Sequence, residues 1–535
     1  MILTDLKTLA QITLYLPLGI FMLTIVALLW RRYNVRWIER FVDWLTVLAS
    51  LVLLIVSILM MFVGERHASF AVFGIDFRLD SLSIFMILLI NVVAFAASWN
   101  SIGYLGPALV NEDPRARKPW WRQRVGYHVL INFFHFTMLL VPLSDNLIVI
   151  WIAIELTTVG SAFLIVHEDK PSSWDATWKY LIITSTGIVL ALLGTVFLAN
   201  SLPQAEIAQE QSNRLLNWSY LISKDASLNP RFVWFAFLFA LVGYGTKAGL
   251  APMHTWLPDG HGEAPSPVSA LLSGVLLKAS LYAILRFYTL TNAVLKNAAP
   301  ASAPDWASYS LLLIGLFSLL MATPFILKDN PFKRVLAYHS LEHMGIIVFG
   351  LGMGGMIAVS GAILHMLNHA ITKALMFLAY GNLLKHYNRE GIEIQGALRT
   401  MPWSGRLLAL GGLALVGTPP FNVFMSELLI LWGSVSRLIP GRGPAEPSYS
   451  APVVVAAIAL FVISTTLIFF GLVNHLKKLV LGRPAKDIVQ EKFSWPTVGP
   501  LLFLFVLMFG LGIWIFPPLA SLVRNSALIV LNLPG

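Results

Sequence analysis

Apolar runs of membrane-spanning length recur along the whole chain, and they constrain its fold more than any other feature. Of the 535 residues, 57% are hydrophobic and 12% are charged, whereas a soluble domain carries roughly 25% charged residues. A helix needs about 20 apolar residues to cross a bilayer, and backbone groups in lipid find partners only within a helix or a closed barrel. The sequence therefore predicts an all-α membrane protein with about fourteen transmembrane helices.

The predicted spans are separated by short polar interruptions. They lie near residues 10–30, 42–63, 83–104, 128–147, 148–167, 178–200, 232–252, 267–291, 307–327, 335–354, 357–384, 405–431, 452–474 and 498–522. Ser144, Asp145 and Asn146 form the polar turn that divides the fourth span from the fifth. The first run is long enough to span and has no small-residue cleavage site, so we expect a membrane helix there rather than a signal peptide.

Basic residues are concentrated on one side of these spans. Loops after odd-numbered spans contain about 23 Lys and Arg residues, against about 10 in the termini and the other loops, and one dense example is Arg115, Arg117, Lys118 and Arg122. Cytoplasmic loops of membrane proteins are enriched in these residues. The pattern predicts a multi-pass protein of a prokaryotic cytoplasmic (inner) membrane with both termini on the periplasmic side. It also explains the net charge of +10 without a nucleic-acid partner.

Ionisable residues inside the spans are the main guide to function. The candidates among them are Glu155, Lys247, Lys278, Arg286, Lys373 and Glu427. Such groups are costly in hydrocarbon, face protein or water-filled cavities, and often belong to proton relays. Arg286 lies near the end of its span, where we expect the guanidinium to extend to the membrane interface. The other five are expected to be buried titratable groups.

Histidines extend this buried set. His365, His369 and Lys373 are spaced by four residues and therefore share one face of the eleventh span. Three titratable groups on one stripe suit a proton relay better than contact with lipid. Two further histidines, His343 in the tenth span and His475 beside the thirteenth, fit either this role or simple polar packing.

The remaining candidate relay residues are expected to act at the two ends of the proton path. Glu155 is expected to pair with Lys247 as a gate, since closing or opening such a pair changes how readily the lysine holds its proton. Glu427, far along the chain, is the expected exit acid. Secondary candidates are His254, His261 and Lys179.

Helix breakers interrupt two of the spans at corresponding places. The seventh runs into residues 249–252 (Gly-Leu-Ala-Pro), and the twelfth contains residues 417–420 (Gly-Thr-Pro-Pro). Broken helices in two halves point to inverted repeats around a transport site. Because the breaks are five spans apart, we predict inverted five-helix repeats in spans 4–8 and 9–13. The predicted segments are 1–127 (three N-terminal helices), 128–291 and 307–474 (the repeats) and 475–535 (a loop and the last helix).

No cofactor or metal is predicted for this chain. It has no cysteine, which excludes thiolate-bound iron–sulfur clusters. Gly350 to Gly355 match the pattern G-x-G-x-x-G, but they follow a membrane helix rather than a strand, so a turn is expected. His365 and His369 have the spacing of a zinc helix but no intervening glutamate and no clear third ligand.

Several long motifs resemble one known family. The run from Lys247 to Lys278, KAGLAPMHTWLPDGHGEAPSPVSALLSGVLLK, resembles the signature of antiporter-like proton-translocating subunits. They occur in respiratory complex I, multisubunit sodium/proton antiporters and group four hydrogenases. HMLNHAITK, ending at Lys373, and TPPFNVFMSE, ending at Glu427, extend the resemblance. By that resemblance, functional positions of the family fall on Glu155, Lys247, Lys278, His365, His369, Lys373 and Glu427.

Shorter motifs favour one branch of this family. AIELTT around Glu155, WKY from Trp178 and RVLAYHSLEHMG from Arg334 resemble the component F type of hydrogenase-4 and formate hydrogenlyase. Three features depart from that branch: Asp259-Gly-His-Gly-Glu, the lysine at position 278, and Tyr338-His-Ser-Leu-Glu-His in place of the commoner Tyr-Ser-Ser.

The resemblance implies a proton-translocating subunit of a membrane-bound oxidoreductase, hydrogenase-type or complex I-like, whose redox centres lie in other subunits. Its partners would be other membrane and peripheral subunits, the lipid bilayer and protons, with sodium as an open alternative. A second reading is the cation- or proton-coupling subunit of a non-redox complex, for inorganic carbon uptake or sodium/proton antiport. A third is a membrane scaffold with vestigial charges.

Overall fold

The computed structural model describes residues 5–30, 35–63, 67–106, 124–204, 214–298, 305–387, 394–439, 449–484 and 489–534. Within these ranges the chain is almost entirely helical, and twelve continuous helices are long and apolar enough to cross a membrane. Two broken helices complete the set of fourteen. The predicted all-α membrane fold is confirmed, and the basic run Arg115, Arg117, Lys118 and Arg122 lies outside the described residues.

The helices match the predicted spans in order. The first eight positions are α1 (Leu6–Trp30), α2 (Val35–Phe62), α3 (Ser81–Tyr104), α4 (Arg124–Leu143), α5 (Leu147–Ile165), α6 (Pro171–Ala199), α7a (Pro230–Lys247) with α7b (Leu257–Glu263), and α8 (Ser266–Leu271, the π-helical turn Leu272–Leu276, and Leu277–Ala298). The rest are α9 (Trp306–Leu327), α10 (Phe332–Met353), α11 (Met356–Tyr387), α12a (Pro402–Leu415) with α12b (Asn422–Val435), α13 (Ala451–Leu481), α14 (Trp495–Ile513) and α15 (Pro517–Leu531).

Four helices form the centre of the protein. The apolar segments of α3, α8, α10 and α11 are buried along their whole length, whereas α1, α6 and α13 leave most of theirs exposed. A helix that is buried all round has other helices rather than lipid as its neighbours. Lys278 on α8, Glu342 on α10 and Lys373 on α11 are therefore surrounded by protein.

The breaks in α7 and α12 have the same construction. Each has a glycine in the left-handed region, Gly249 at φ +71° and Gly417 at φ +68°, three residues before a proline. Glycine adopts this conformation without steric cost. A side chain at Gly417 would also collide with the carboxylate of Glu427. The helix order, with the fourth member of each five broken, agrees with the predicted repeats α4–α8 and α9–α13.

Two elements differ from the prediction. A hairpin of β1 (Ala68–Val72) and β2 (Ile75–Leu79) precedes α3, and its turn places Phe73 and Gly74 at positive φ, as the tight hairpin turn requires. The last predicted span, 498–522, is in fact two helices, because α14 ends at Ile513 and a new helix begins at Pro517.

The expectation for Arg286 was wrong. Its side chain is 4% exposed and its guanidinium contacts the Asp80 carboxylate at 2.7 Å, so it does not extend to the membrane interface. Asp80 caps the N-terminus of α3 by accepting from the backbone N–H of Ser83. Burial opposes ionisation, but the facing Arg286 charge outweighs it and holds the pKa of Asp80 well below its usual range. The pair fastens α8 to the start of α3.

Candidate functional site

The centre of the site lies where α8 meets α11. Lys278 follows the π-helical turn of α8, a geometry that often occurs at functional sites because it alters the regular backbone bonding. Its Nζ donates to the carbonyl oxygen of Ser273 at 2.7 Å and lies 2.6 Å from Nδ1 of His369 on α11. Both side chains are fully buried. The structure thus brings the lysine of the eighth span into contact with one histidine of the eleventh.

His343 on α10 continues this row. Its ring stacks on that of His369 with centroids 4.5 Å apart, and its Nδ1 lies 2.9 Å from Nε2 of His365. His365 in turn contacts the hydroxyl of Ser426 at 2.9 Å through its other nitrogen. Of the two readings left open for His343, the relay position fits, because the ring lies between both histidines of α11.

The row reaches Glu427 on α12b. Polar atoms of His343, His365 and Glu427 all lie within 4.8 Å of one another. Lys278, His369, His343, His365 and Glu427 thus form a succession of titratable side chains on four helices. We call these five residues the relay row.

Lys373 lies beside the relay row. Its Nζ donates to the carbonyl oxygen of Leu336, one turn before Ser340 on α10. The Ser340 hydroxyl also bonds to that carbonyl, at 3.2 Å, and contacts the Ser273 hydroxyl at 2.7 Å. Since Lys278 donates to the carbonyl of Ser273, the two lysines are linked through a pair of serines.

The predicted pair of Glu155 and Lys247 is joined through a third residue. The Lys247 Nζ donates to the Thr158 hydroxyl and, at 2.6 Å, to the carbonyl oxygen of Ile154. The same hydroxyl lies 3.2 Å from Glu155 Oε2. Ser185 donates to the other carboxylate oxygen at 3.0 Å. Within the described residues, no hydrogen bond joins Lys247 to Lys278.

The secondary candidates lie in different surroundings. His261 is fully buried between the rings of Trp256 and Phe377, at 5.8 and 6.0 Å, and neither of its nitrogens has a hydrogen-bond partner among the described atoms. His254 is buried in the break of α7. Lys179 is exposed and pairs with Asp259 at 3.0 Å, so it lies outside the buried set.

Burial distinguishes the middle of the site from its ends. Lys247, Lys278 and Lys373 are fully buried, but Glu155 and Glu427 are half-buried. Glu155 lies among the exposed apolar residues Ile152 and Val159 on α5, and Glu427 lies beside Leu428 and Trp432 on α12b, which are also exposed. The two glutamates therefore lie beside the apolar lateral surface of the helices.

Among the described residues, two histidine–glutamate groups have spacings within reach of a metal ion, and both include His343. One comprises His339, Glu342 and His343, and the other comprises His343, His365 and Glu427. His365 thus has two candidate co-ligands, His343 and Glu427, and His369 belongs to neither group. Two nitrogens on one tetrahedral zinc lie about 3.3 Å apart, whereas His343 and His365 approach to 2.9 Å. That spacing favours a shared proton, and the absence of a bound metal stays a prediction.

Sequence reasoning missed two titratable residues on α10. Glu342 and His339 are buried in the tenth span, and Glu342 Oε2 lies 2.6 Å from His339 Nδ1. The available signal was the spacing of His339, Glu342 and His343, three and four residues apart, which places them on one face of a helix.

The fold and this row of charges define a multi-pass membrane protein of the antiporter-like class. Residues 144–439, which include every residue of the relay row, match the family described as NADH:quinone oxidoreductase/Mrp antiporter, transmembrane. The chain belongs to this family and is an antiporter-like membrane subunit.

Individual relatives agree with this assignment. A hydrogenase-4 component F homolog of Methylacidiphilum infernorum (isolate V4) is 32% identical over 493 residues, which cover 92% of this chain and 95% of that protein. The resemblance to the component F type is thus confirmed.

Solved structures share the fold at low sequence identity. A chain of the membrane-bound sulfane sulfur reductase, an archaeal respiratory membrane complex, has a TM-score of 0.77 at 21% identity, with 98% of this chain and 97% of that chain covered. A chain of the Mrp complex from Dietzia sp. DQ12-45-1b has a TM-score of 0.78 at 18% identity, with 99% and 97% covered. Both neighbours are parts of multisubunit membrane complexes.

Proposed function

We propose that this chain translocates protons through the relay row as a subunit of a membrane-bound oxidoreductase of the hydrogenase or complex I type. The observation that carries the proposal is the unbroken succession from Lys278 to Glu427 in the buried centre of the protein. Buried ionisable groups of this kind are costly in a membrane and are retained where they move or bind charge.

The chemistry of the row follows from its nitrogen atoms. An imidazole accepts a proton on one nitrogen and releases one from the other. Lys278 contacts Nδ1 of His369, whose Nε2 has no partner among the described atoms and is free to pass a proton towards His343. His343 and His365 are joined directly. The Glu427 carboxylate is then the acceptor at the end of the row.

Glu155 and Lys247 form the gate in this proposal. The Thr158 hydroxyl holds the ammonium and contacts the carboxylate, so one side-chain rotation separates the two charges. Separation removes the attraction that keeps the lysine protonated and favours release of its proton. Lys373 is linked to Lys278 through Ser273 and Ser340 and responds to the charge on that lysine.

Partner subunits are expected against both half-buried carboxylates. A carboxylate facing lipid carries a cost of several kcal/mol, which a neighbouring membrane subunit removes by covering it. We place the chain in a prokaryotic cytoplasmic membrane with both termini outside, because basic residues favour one side. The electron carriers belong to other subunits, since this chain has no cysteine to bind iron–sulfur clusters.

Proton transport has more support than sodium transport. Hard cations such as sodium prefer oxygen ligands, and the relay row offers one ammonium, three imidazoles and one carboxylate. Lysine and imidazole nitrogens bind protons instead. Transport of another cation would have to use residues outside this row.

The test uses the native complex reconstituted into liposomes. A potassium gradient with valinomycin imposes a membrane potential, and trapped pyranine reports the proton flux. The Lys278→Met variant should abolish the flux because it breaks the row at its first member. The Lys179→Met variant removes an exposed lysine and should conduct normally. Undiminished flux in an assembled Lys278→Met complex would refute the proposal.

A further inference from the structure

The relay row runs from the fully buried Lys278 to Glu427 beside the apolar lateral surface of α12b, so it needs a connection to water. We propose that Asp329, His475, His339 and Glu342 form a side branch that carries protons between the aqueous surface at the α9–α10 loop and His343 in the middle of the row. We call these four residues the access branch. The inference rests on the proposed proton transport and adds the route by which protons reach the row.

The outer end of the branch is in contact with water. Asp329 lies in the loop between α9 and α10 with 73% of its side chain exposed, and Lys478 on α13 contacts its carboxylate at 3.0 Å. The hydrogen bond and charge of Lys478 hold the pKa of Asp329 below its usual value, so this group stays anionic at neutral pH and attracts protons. His475 on α13 has its Nδ1 4.0 Å from the same carboxylate.

His475 leads inward from this point. Its side chain is 9% exposed, and its Nε2 lies 3.0 Å from the carbonyl oxygen of Ile326 near the end of α9. Gly471, one turn earlier on α13, allows close approach because a side chain there would press on Ile326. The tight packing of α13 on α9 therefore fixes the ring between the loop and the interior.

His339 is the next group. It is fully buried, and its Nε2 has no hydrogen-bond partner among the described atoms, whereas its Nδ1 faces the Glu342 carboxylate. It interacts electrostatically with both His475 and Lys373. Buried polar atoms nearly always have a partner, so the unpartnered Nε2 points to a bridging water beside this ring.

The inner end joins the relay row. Nδ1 of His339 lies 2.6 Å from Glu342 Oε2, and the rings of His339 and His343 have centroids 6.0 Å apart. One polar atom each of His339, Glu342 and His343 lies within 4.8 Å of the corresponding atoms of the other two residues. A proton that reaches His339 or Glu342 is therefore one step from the middle of the row.

The competing explanation for His475 is structural. The last carbonyl groups of a helix lack partners within the helix, and the Ile326 carbonyl is one of these at the end of α9. A histidine that only satisfied this carbonyl would be replaceable by glutamine, whose amide N–H donates in the same way but does not carry protons. The two explanations therefore differ in a single variant.

The experiment measures proton flux in liposomes containing the native complex, driven by potassium and valinomycin. His475→Gln should reduce the flux at least about tenfold, and added imidazole should restore it in His475→Ala by replacing the missing ring. The matched control is His386→Gln, which alters a half-buried histidine that also contacts a carbonyl oxygen, that of Val489. Asp329→Asn should reduce the flux about two- to threefold by removing the surface charge that attracts protons.

The outcomes separate the branch from the row. Normal flux in His475→Gln, together with no flux in Lys278→Met, would overturn the access branch and leave the relay row intact. Normal flux in both would overturn both. If His475→Gln fails to assemble, the exposed Asp329→Asn decides, and unchanged flux in that variant would overturn the branch.

Discussion

Replacing Asp80 with asparagine removes the charge that faces the buried guanidinium of Arg286. The wild-type carboxylate accepts from both terminal nitrogens of Arg286, at 2.7 and 2.9 Å, and the two side chains are almost completely buried. Removal of one partner from a buried ion pair costs about 3–5 kcal/mol, because the other charge is left uncompensated. We expect Asp80→Asn to destabilise the subunit by that amount.

A double-mutant cycle with Arg286→Met tests this magnitude. The stability of the detergent-solubilised complex is measured for each single variant and for the double variant. The double variant should be more stable than Asp80→Asn alone, because it no longer contains an unpaired guanidinium. An effect below about 1 kcal/mol, typical of an exposed pair, would show that Arg286 reaches the membrane interface and would refute the buried pairing.

The same pair gives a pH dependence with a definite sign. The pKa of Asp80 is depressed in the folded state, so its contribution to stability is fully present above the unfolded value of about 3.9. That contribution is lost as the pH falls through the lower, folded pKa. The destabilisation by Asp80→Asn should therefore be equal at pH 7 and at about pH 5.5, and a difference between them would contradict the depressed pKa.

Two further predictions concern the ends of the site. Lys247→Met should abolish proton flux in an assembled complex. Thr158→Val should reduce the flux by about tenfold or more, because the hydroxyl between Lys247 and Glu155 is lost. Thr158→Ser keeps the hydroxyl and should conduct normally, and equal flux in both Thr158 variants would contradict the bridge. Gly417→Ala should lower the flux and destabilise the subunit by at least about 1 kcal/mol, because φ is positive and the new methyl group collides with the Glu427 carboxylate. The control is Gly510→Ala, because the space around that glycine is open. Equal flux and equal stability of the two variants would contradict the described break in α12.

Much of the fold could be predicted from the sequence because a membrane restricts what a spanning segment can be. Each span must be long and apolar, so the order of the helices and the two glycine–proline breaks are visible without a structure. The same constraint makes a lysine inside a span easy to recognise, and Lys278 and Lys373 are indeed buried among the helices. The turn at Ser144 to Asn146 also separates two helices as expected.

Contacts between distant helices were not readable in this way. Asp80 and Arg286 are 206 residues apart, and no local pattern marks them as partners. Ser273 and Ser340 connect Lys278 to Lys373 only because α8 packs against α10, and nothing in the local sequence distinguishes them from other small residues. Glu342 carried a local signal, its spacing from His339 and His343, but its place beside the relay row depends on the neighbouring helices.

The most direct test of the account is the proton flux of His343→Asn in liposomes containing the native complex. His343 joins Lys278 and His369 on one side to His365 and Glu427 on the other. Asparagine retains a polar group at this position but cannot take up and release a proton near neutral pH. We predict that the variant assembles and conducts no protons. A flux equal to that of the wild type would contradict proton transfer through the relay row.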